Sequence, residues 1–131
     1  MLYGELTLAT PEKLNASLCE RFMELRGSER IRQSHYFGER FENIYINEAD
    51  IPEISRVLDL MKQQAGQLLD MPVDALKAGF WFNAMEAGHR TTLHHHDEND
   101  ELLSEVDYIR VPEDSGGLVV RESGCESVIR G

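Results

Sequence analysis

Two stretches in the first half of the chain carry apolar residues at helical spacing. Leu14, Leu18 and Phe22 recur every fourth position, Met23 and Leu25 widen the stripe, and Thr10-Pro11-Glu12 opens it. The first turn of a helix has unpaired N–H groups and favours negative charge, so a threonine cap, a proline at the first helical position and an acid beside it predict a start there. Gly27 predicts the stop, because glycine takes the left-handed conformation that ends a helix. Ile54, Leu58, Met61, Ala65 and Leu68 form a second apolar stripe behind Asp50-Ile51-Pro52-Glu53. A carboxylate followed three residues later by Glu predicts a capped start for that helix at Asp50. Each stripe has the width of a face that covers the back of a sheet. Between the helices, a polar, Arg-rich segment at 28–33 and the Tyr36-Phe37-Gly38 triplet predict a break. Ile44-Tyr45-Ile46 predicts a short β-prone run.

After Met71-Pro72 the pattern changes. From Lys77 onward, β-branched and aromatic runs alternate with turn signals at Glu86-Ala87-Gly88, 97–100, 112–117 and Ser123-Gly124. The runs at 78–85, 90–96, 102–111, 118–121 and 127–130 read as five short strands, and strands with turns at that pitch predict an antiparallel sandwich or roll. The expected class is therefore α+β in one domain, with a helical N-terminal part over 1–76 and a β part over 77–131. Repeats, linkers and low-complexity tracts are absent from the sequence.

Composition narrows the classes of function. At 131 residues the chain fits one domain, and 41% apolar with 28% charged residues is the balance of a globular protein rather than a disordered tail. The 24 acidic against 13 basic residues give a formal charge of −11, which repels phosphate backbones and anionic lipid. Neither nucleic acid nor a membrane is an expected partner. Cys19 and Cys125 form no metal-ligand spacing; Cys19 falls in a helical pattern and Cys125 in a Gly-flanked turn, so both read as reduced thiols of a cytoplasmic protein. Residues 1–5 hold no basic region ahead of an apolar run, and no apolar stretch approaches the roughly 20 residues of a membrane helix.

Candidate chemistry is concentrated between Gly88 and Glu101. This run holds four of the five histidines and follows the aromatic segment Gly79-Phe80-Trp81-Phe82-Asn83-Ala84-Met85. Neutral imidazoles beside carboxylates are what a divalent transition metal needs. On a strand, residues two apart share a face, so His94 and His96 form one pair while His95 points the other way. Glu98, Asp100 and Glu101 follow on a turn. Two histidines and one carboxylate leave open positions on a metal, the arrangement of non-haem Fe(II) oxygenases. A rival pair is His95 with Asp97, in phase with Leu93; a regular strand with Leu93 in the core turns that pair inward, and a bulge reverses the choice. Both pairs stay open at this level.

Over about 40 residues the chain resembles a family. Trp81-Phe82-Asn83, Gly88, His94-x-His96, Leu102-Leu103-Ser104, Tyr108-Ile109, Val111-Pro112 and Ser115-Gly116-Gly117-Leu118 follow the order found in the 2-oxoglutarate/Fe(II)-dependent oxygenases. The resemblance implies an antiparallel double-stranded β-helix (jelly-roll, cupin-like) behind the two helices. It also implies Fe(II) as metal, 2-oxoglutarate as cosubstrate, and Asn83 and Tyr108 as groups that hydrogen-bond it. The same residues are similar to the first cupin motif, with Gly88, His94, His96 and Glu101 at its spacings; Glu101 is then the carboxylate ligand. The chain departs from both patterns. Glu105-Val106-Asp107-Tyr108 stands where the oxygenases carry Gly-Val-Tyr-Tyr, and Tyr108 occupies the last cupin glycine. No histidine follows His96, and Arg110, Arg121 and Arg130 are the only late basic residues. With five strands where a roll needs eight, the expectation is an incomplete roll whose exposed sheet edge invites homo-oligomers. The functions in contention are a dioxygenase acting on a small-molecule or peptide substrate, a cupin-type metal-binding protein, and an inactive fragment.

Overall fold

The computed structural model describes residues 11–92, 102–116, 118–122 and 125–129. Helix α1 spans Pro11–Leu25 and buries Leu18 completely and Phe22 almost so. Its end is where the glycine signal puts it. Gly27 adopts a φ of +82°, and the Ser28 N–H turns back to the Leu25 carbonyl at 2.9 Å. Helix α2 spans Ile54–Leu69 and buries Ile54, Val57 and Leu58.

The start of α2 differs from the expected capping box. Asp50 belongs to a short 3-10 turn, Glu48–Asp50, and its Oδ1 accepts a hydrogen bond from Arg30 Nη1 at 2.6 Å. The first N–H groups, of Ile54 and Ser55, donate instead to the carbonyls of Ile51 and Pro52 at 3.0 and 3.1 Å. Backbone carbonyls thus replace the side-chain cap. At the other end Asp70 takes a left-handed conformation and the Met71 N–H reaches the Gly66 carbonyl at 2.9 Å. A Cβ on Gly66 would stand 2.8 Å from the Met71 carbonyl oxygen, so the chain can fold over this helix end only because Gly66 has none.

Between the helices the structure places a β-hairpin, which corrects the expectation of a helical part over 1–76. Strand β1, Ile31–Phe37, pairs antiparallel with β2, Arg40–Ile46, with Ile31 opposite Ile46 and Phe37 opposite Arg40. Gly38 and Glu39 form the two-residue loop with φ of +59° and +67°, the primed turn whose twist matches that of the strands it joins. Alternation then puts Arg40, Glu42, Ile44 and Ile46 on the buried face of β2. Ile44 and Ile46 join Leu18, Phe22, Ile51, Ile54, Val57, Leu58 and Phe82 in one core. Phe82 is held by reciprocal backbone bonds with Ile44 at 2.8 and 2.9 Å, and its ring lies 5.2 Å from Phe22 and 5.9 Å from Phe80.

The second half departs further from the expected strands. Residues 78–92 contribute that single bridge, Ile44 to Phe82, and residues 102–116 carry no strand ladder among the described residues. Strand β3, Leu118–Glu122, pairs antiparallel with β4, Cys125–Ile129, so Cys125 opens a strand rather than sitting in a turn. The composition of 102–111 fits a pleated surface, but propensity does not supply a partner. Its inward side is mixed: Leu103, Glu105, Asp107 and Ile109 are half-buried, while Leu102 and Val106 are 59% and 57% exposed. The fold is a mixture of helices and antiparallel hairpins, an α+β arrangement. Among the described residues no helix is long and apolar enough to cross a membrane.

Candidate functional site

Two of the four inward positions on β2 carry charge. Arg40 is 9% exposed and Glu42 5%. Arg40 Nη1 donates to Asn83 Oδ1 at 2.9 Å, and Nη2 donates to Thr91 Oγ1 at 3.1 Å and to the Arg90 carbonyl at 3.4 Å. Glu42 takes hold of the next residue twice, accepting from the Thr92 N–H at 2.8 Å and from the Thr92 hydroxyl at 3.1 Å. Three consecutive residues, 90 to 92, are therefore fastened to β2 by side chains rather than by a strand ladder.

The Arg40 guanidinium bonds only to neutral acceptors. Its Nε is buried and has no hydrogen-bond partner, and no ion pair to Arg40 occurs among the described residues. The buried Glu42 carboxylate stands two residues along the same face of β2, so this corner holds one charge of each sign without an ion pair between them. Asn83 is also oriented here. With Oδ1 accepting from Arg40, its Nδ2 amide hydrogens are left as the outward donors.

The expected metal ligands begin two residues beyond this anchor. His94, His96 and Glu101, together with His95, Asp97, Glu98 and Asp100, lie outside the described residues. Among the described residues there is no group of three or more His, Cys, Asp or Glu side chains that could hold an ion. His89, the first histidine of the run, is committed locally: its Nδ1 accepts the Glu86 N–H at 2.9 Å across a turn where Gly88 has a φ of +83°. Adjacent threonines, Thr91 and Thr92, both turn toward β2, so the side-to-side alternation of a regular strand does not hold there.

Tyr108 and Asn83 are held by different elements. The Tyr108 carbonyl accepts from Asn15 Nδ2 on α1 at 3.4 Å, and the residue is 37% exposed. Asn83 is tied to β2 and Tyr108 to α1, with no hydrogen bond between them. Just upstream of Tyr108, three carboxylate oxygens, both of Glu105 and Oδ2 of Asp107, are shielded from solvent and unpartnered. Burial pushes both carboxyls above their ordinary values.

Arg40 and Glu42 were hidden in the sequence because charged residues at inward positions look like solvent-facing ones. Their parity with Ile44 and Ile46 is the signal that could have found them. The fifth histidine, His35, is on the outer face. It has a left-handed φ of +60°, and its Nδ1 lies 2.7 Å from Ser34 Oγ and 3.3 Å from Asn43 Nδ2.

No family model matches this chain, and no curated protein and no solved structure matches it either.

Proposed function

We propose that the chain is an Fe(II)/2-oxoglutarate-dependent dioxygenase (a hydroxylase) of the double-stranded β-helix kind, with Fe(II) held by His94, His96 and the Glu101 carboxylate. The observation that carries the reading is the anchor on β2. Residues 90–92 are fixed by Arg40 and Glu42 directly upstream of the histidines, and Arg40 also holds Asn83 by its Oδ1. Bound iron would supply oxygen activation at the positions its three ligands leave open. The chain's own residues do the rest. Asn83 donates to the cosubstrate from the amide hydrogens that Arg40 turns outward, and Tyr108 is the second hydrogen-bonding group that the resemblance implies.

Calorimetric titration with Ni(II) or Zn(II) tests the ligands. The parent binds, the His94→Ala/His96→Ala double variant does not, and affinity falls as the pH drops through about 6.5, where imidazoles take up protons. Unchanged affinity in that double variant removes the reading; full loss in His95→Ala with His94→Ala unaffected moves the site to His95 and Asp97. Anaerobic loading with Fe(II) and 2-oxoglutarate, followed by oxygen, tests the chemistry through succinate formed above a His94→Ala control.

A second reading is a cupin-type metal-binding protein using the same His94, His96 and Glu101. It differs from the first reading in its chemistry and not in its ligands. Metal binding with no oxygen-dependent succinate selects it.

A further inference from the structure

We propose that residues 102–110 form a pH-sensitive strap: the segment lies against α1 while Glu105 and Asp107 are protonated and lifts away when they ionise. The strap needs no metal at the histidines. Its residues alternate along the chain, with Leu103, Glu105, Asp107 and Ile109 half-buried and the residues between them exposed. The inward side therefore carries two acids between two apolar side chains. Both oxygens of Glu105 and Oδ2 of Asp107 are shut off from solvent without a hydrogen-bond partner. A protonated carboxyl tolerates such a place at modest cost, whereas a carboxylate stripped of water and partners does not.

Nothing opposite supplies the missing charge. The groove where the end of the segment meets α1 has Glu12, Asn15, Cys19 and Glu20 on the helix side and Ile109 and Arg110 on the segment side. The two helix acids offer a carboxylate no counter-charge, and Arg110 is on the exposed side of the segment. Burial is the only cause acting on either carboxyl, so no charged group among the described residues compensates them. The hold on the segment is light. It has no strand ladder among the described residues, and its tie to α1 is the Asn15 Nδ2 bond to the Tyr108 carbonyl, whose 3.4 Å is long for a hydrogen bond. Ile109 adds a packing contact with the core. Ionising two shielded acids therefore opposes a small docking energy, which is the condition for a two-state element biased by charge.

The test compares the full chain with the Glu105→Gln/Asp107→Asn double variant, whose two side chains stay neutral at every pH. At about pH 7, trypsin is expected to cut the parent after Arg110 about 5-fold faster than the variant, because both acids are then ionised in the parent. The helices, followed by circular dichroism, are expected to persist while that cut proceeds. Cys19, read at its own peptide by mass spectrometry, is expected to react faster with a dipyridyl disulfide in the parent at about pH 7 and equally fast in both chains at about pH 4. Equal cutting or equal Cys19 reaction in the two chains at neutral pH overturns the proposal. A cut after Arg110 no faster than one after Arg56 in α2 overturns it too, because the whole chain is then unfolding. Faster Cys19 reaction in the parent that persists at about pH 4 also overturns it, by tracing the effect to the substitutions and not to the protons. Should the double variant fail to fold, Asp107→Asn carries the same comparison alone.

Discussion

On β2, Arg40 and Glu42 are buried and all but one of the groups described at their tips find partners; on residues 102–109, Glu105 and Asp107 turn carboxylate oxygens inward to none. Both regions hide charge, and the difference lies in what surrounds it. The β2 pair sits at the mouth of a packed core, where Asn83, Thr91 and Thr92 are brought within 3.1 Å by a hairpin and a backbone bridge. Residues 102–109 have no ladder to fix which side chains turn inward, and the half-buried side mixes Leu103 and Ile109 with the two acids while Leu102 and Val106 stay in solvent. Because side chains alternate along such a segment, a shift of one residue would exchange the two faces. Burial of charge is tolerable where hydrogen-bonding groups converge on it and unfavourable where they do not.

Breaking the satisfied pair should have the largest effect. Arg40→Met keeps the bulk of the side chain but leaves Asn83 Oδ1, Thr91 Oγ1 and the Arg90 carbonyl without their donor. We expect a loss of about 3 kcal/mol in urea unfolding, since hydrogen bonds from a charged group are worth about 1.5–3 kcal/mol each and their loss is only partly offset by water. Glu42→Leu should cost a similar amount. The Arg40→Met/Glu42→Leu double variant should cost less than the sum, because removing both charges relieves the desolvation that either one alone leaves uncompensated. Additivity within about 0.5 kcal/mol would show two independent anchors.

What the sequence disclosed follows the same division between packing and pairing. The helices α1 and α2 were legible because their stripes pack against a core wherever that core comes from: Leu18, Phe22, Ile54 and Leu58 are all buried. Strand β1 was not, because neither of its faces is buried along its length, so Ile31–Phe37 shows no alternation to read. The loop residues Gly38-Glu39 between two aromatic flanks were the available sign of a hairpin. Strands at 78–92 and 102–111 were over-read for the opposite reason, since β-branched and aromatic composition is present while a pairing partner is a long-range matter. Of the candidate site, Asn83 is found against Arg40, Tyr108 is held through its carbonyl by Asn15 on α1, and the metal ligands lie outside the described residues. The supports on β2 escaped because each is charged, and a charged residue inside a strand reads as solvent-facing until its parity with Ile44 is counted.

Removing the unsatisfied charges should act in the other direction. Burial raises the carboxyls of Glu105 and Asp107, so the folded protein holds their protons more tightly than the unfolded chain does. The stability linked to them is therefore fully present below the ordinary carboxylate value of about 4 and is lost as the pH rises through the raised folded value. At neutral pH, Asp107→Asn and Glu105→Gln should each be more stable than the parent, by at most about 1 kcal/mol because both groups remain partly exposed and screened. The advantage should shrink as the pH is lowered toward about 4. Thermal melts at the two pH values check this. Destabilisation at neutral pH would mean that these oxygens have a cationic partner beyond the described residues.

The smallest effect is expected where charge is paired at the surface. Arg30 donates to Asp50 at 2.6 Å, with the arginine side chain 67% exposed and the aspartate 19%. Exposed pairs contribute about 0.2–1 kcal/mol and weaken in salt, whereas a helix cap is worth about 1 kcal/mol and depends on no other side chain. The two roles of Asp50 therefore separate cleanly. As an ion-pair partner, Asp50→Ala and Arg30→Ala should cost the same, roughly 0.5 kcal/mol, and the double variant no more than either. As a cap, Asp50→Ala alone would be costly and Arg30→Ala silent. The structure favours the first, because the opening N–H groups of α2 are already taken by the carbonyls of Ile51 and Pro52. The cost should fade in about 1 M salt, where screening acts within about 3 Å, while that of Arg40→Met should persist because its bonds are part-buried and run to neutral acceptors.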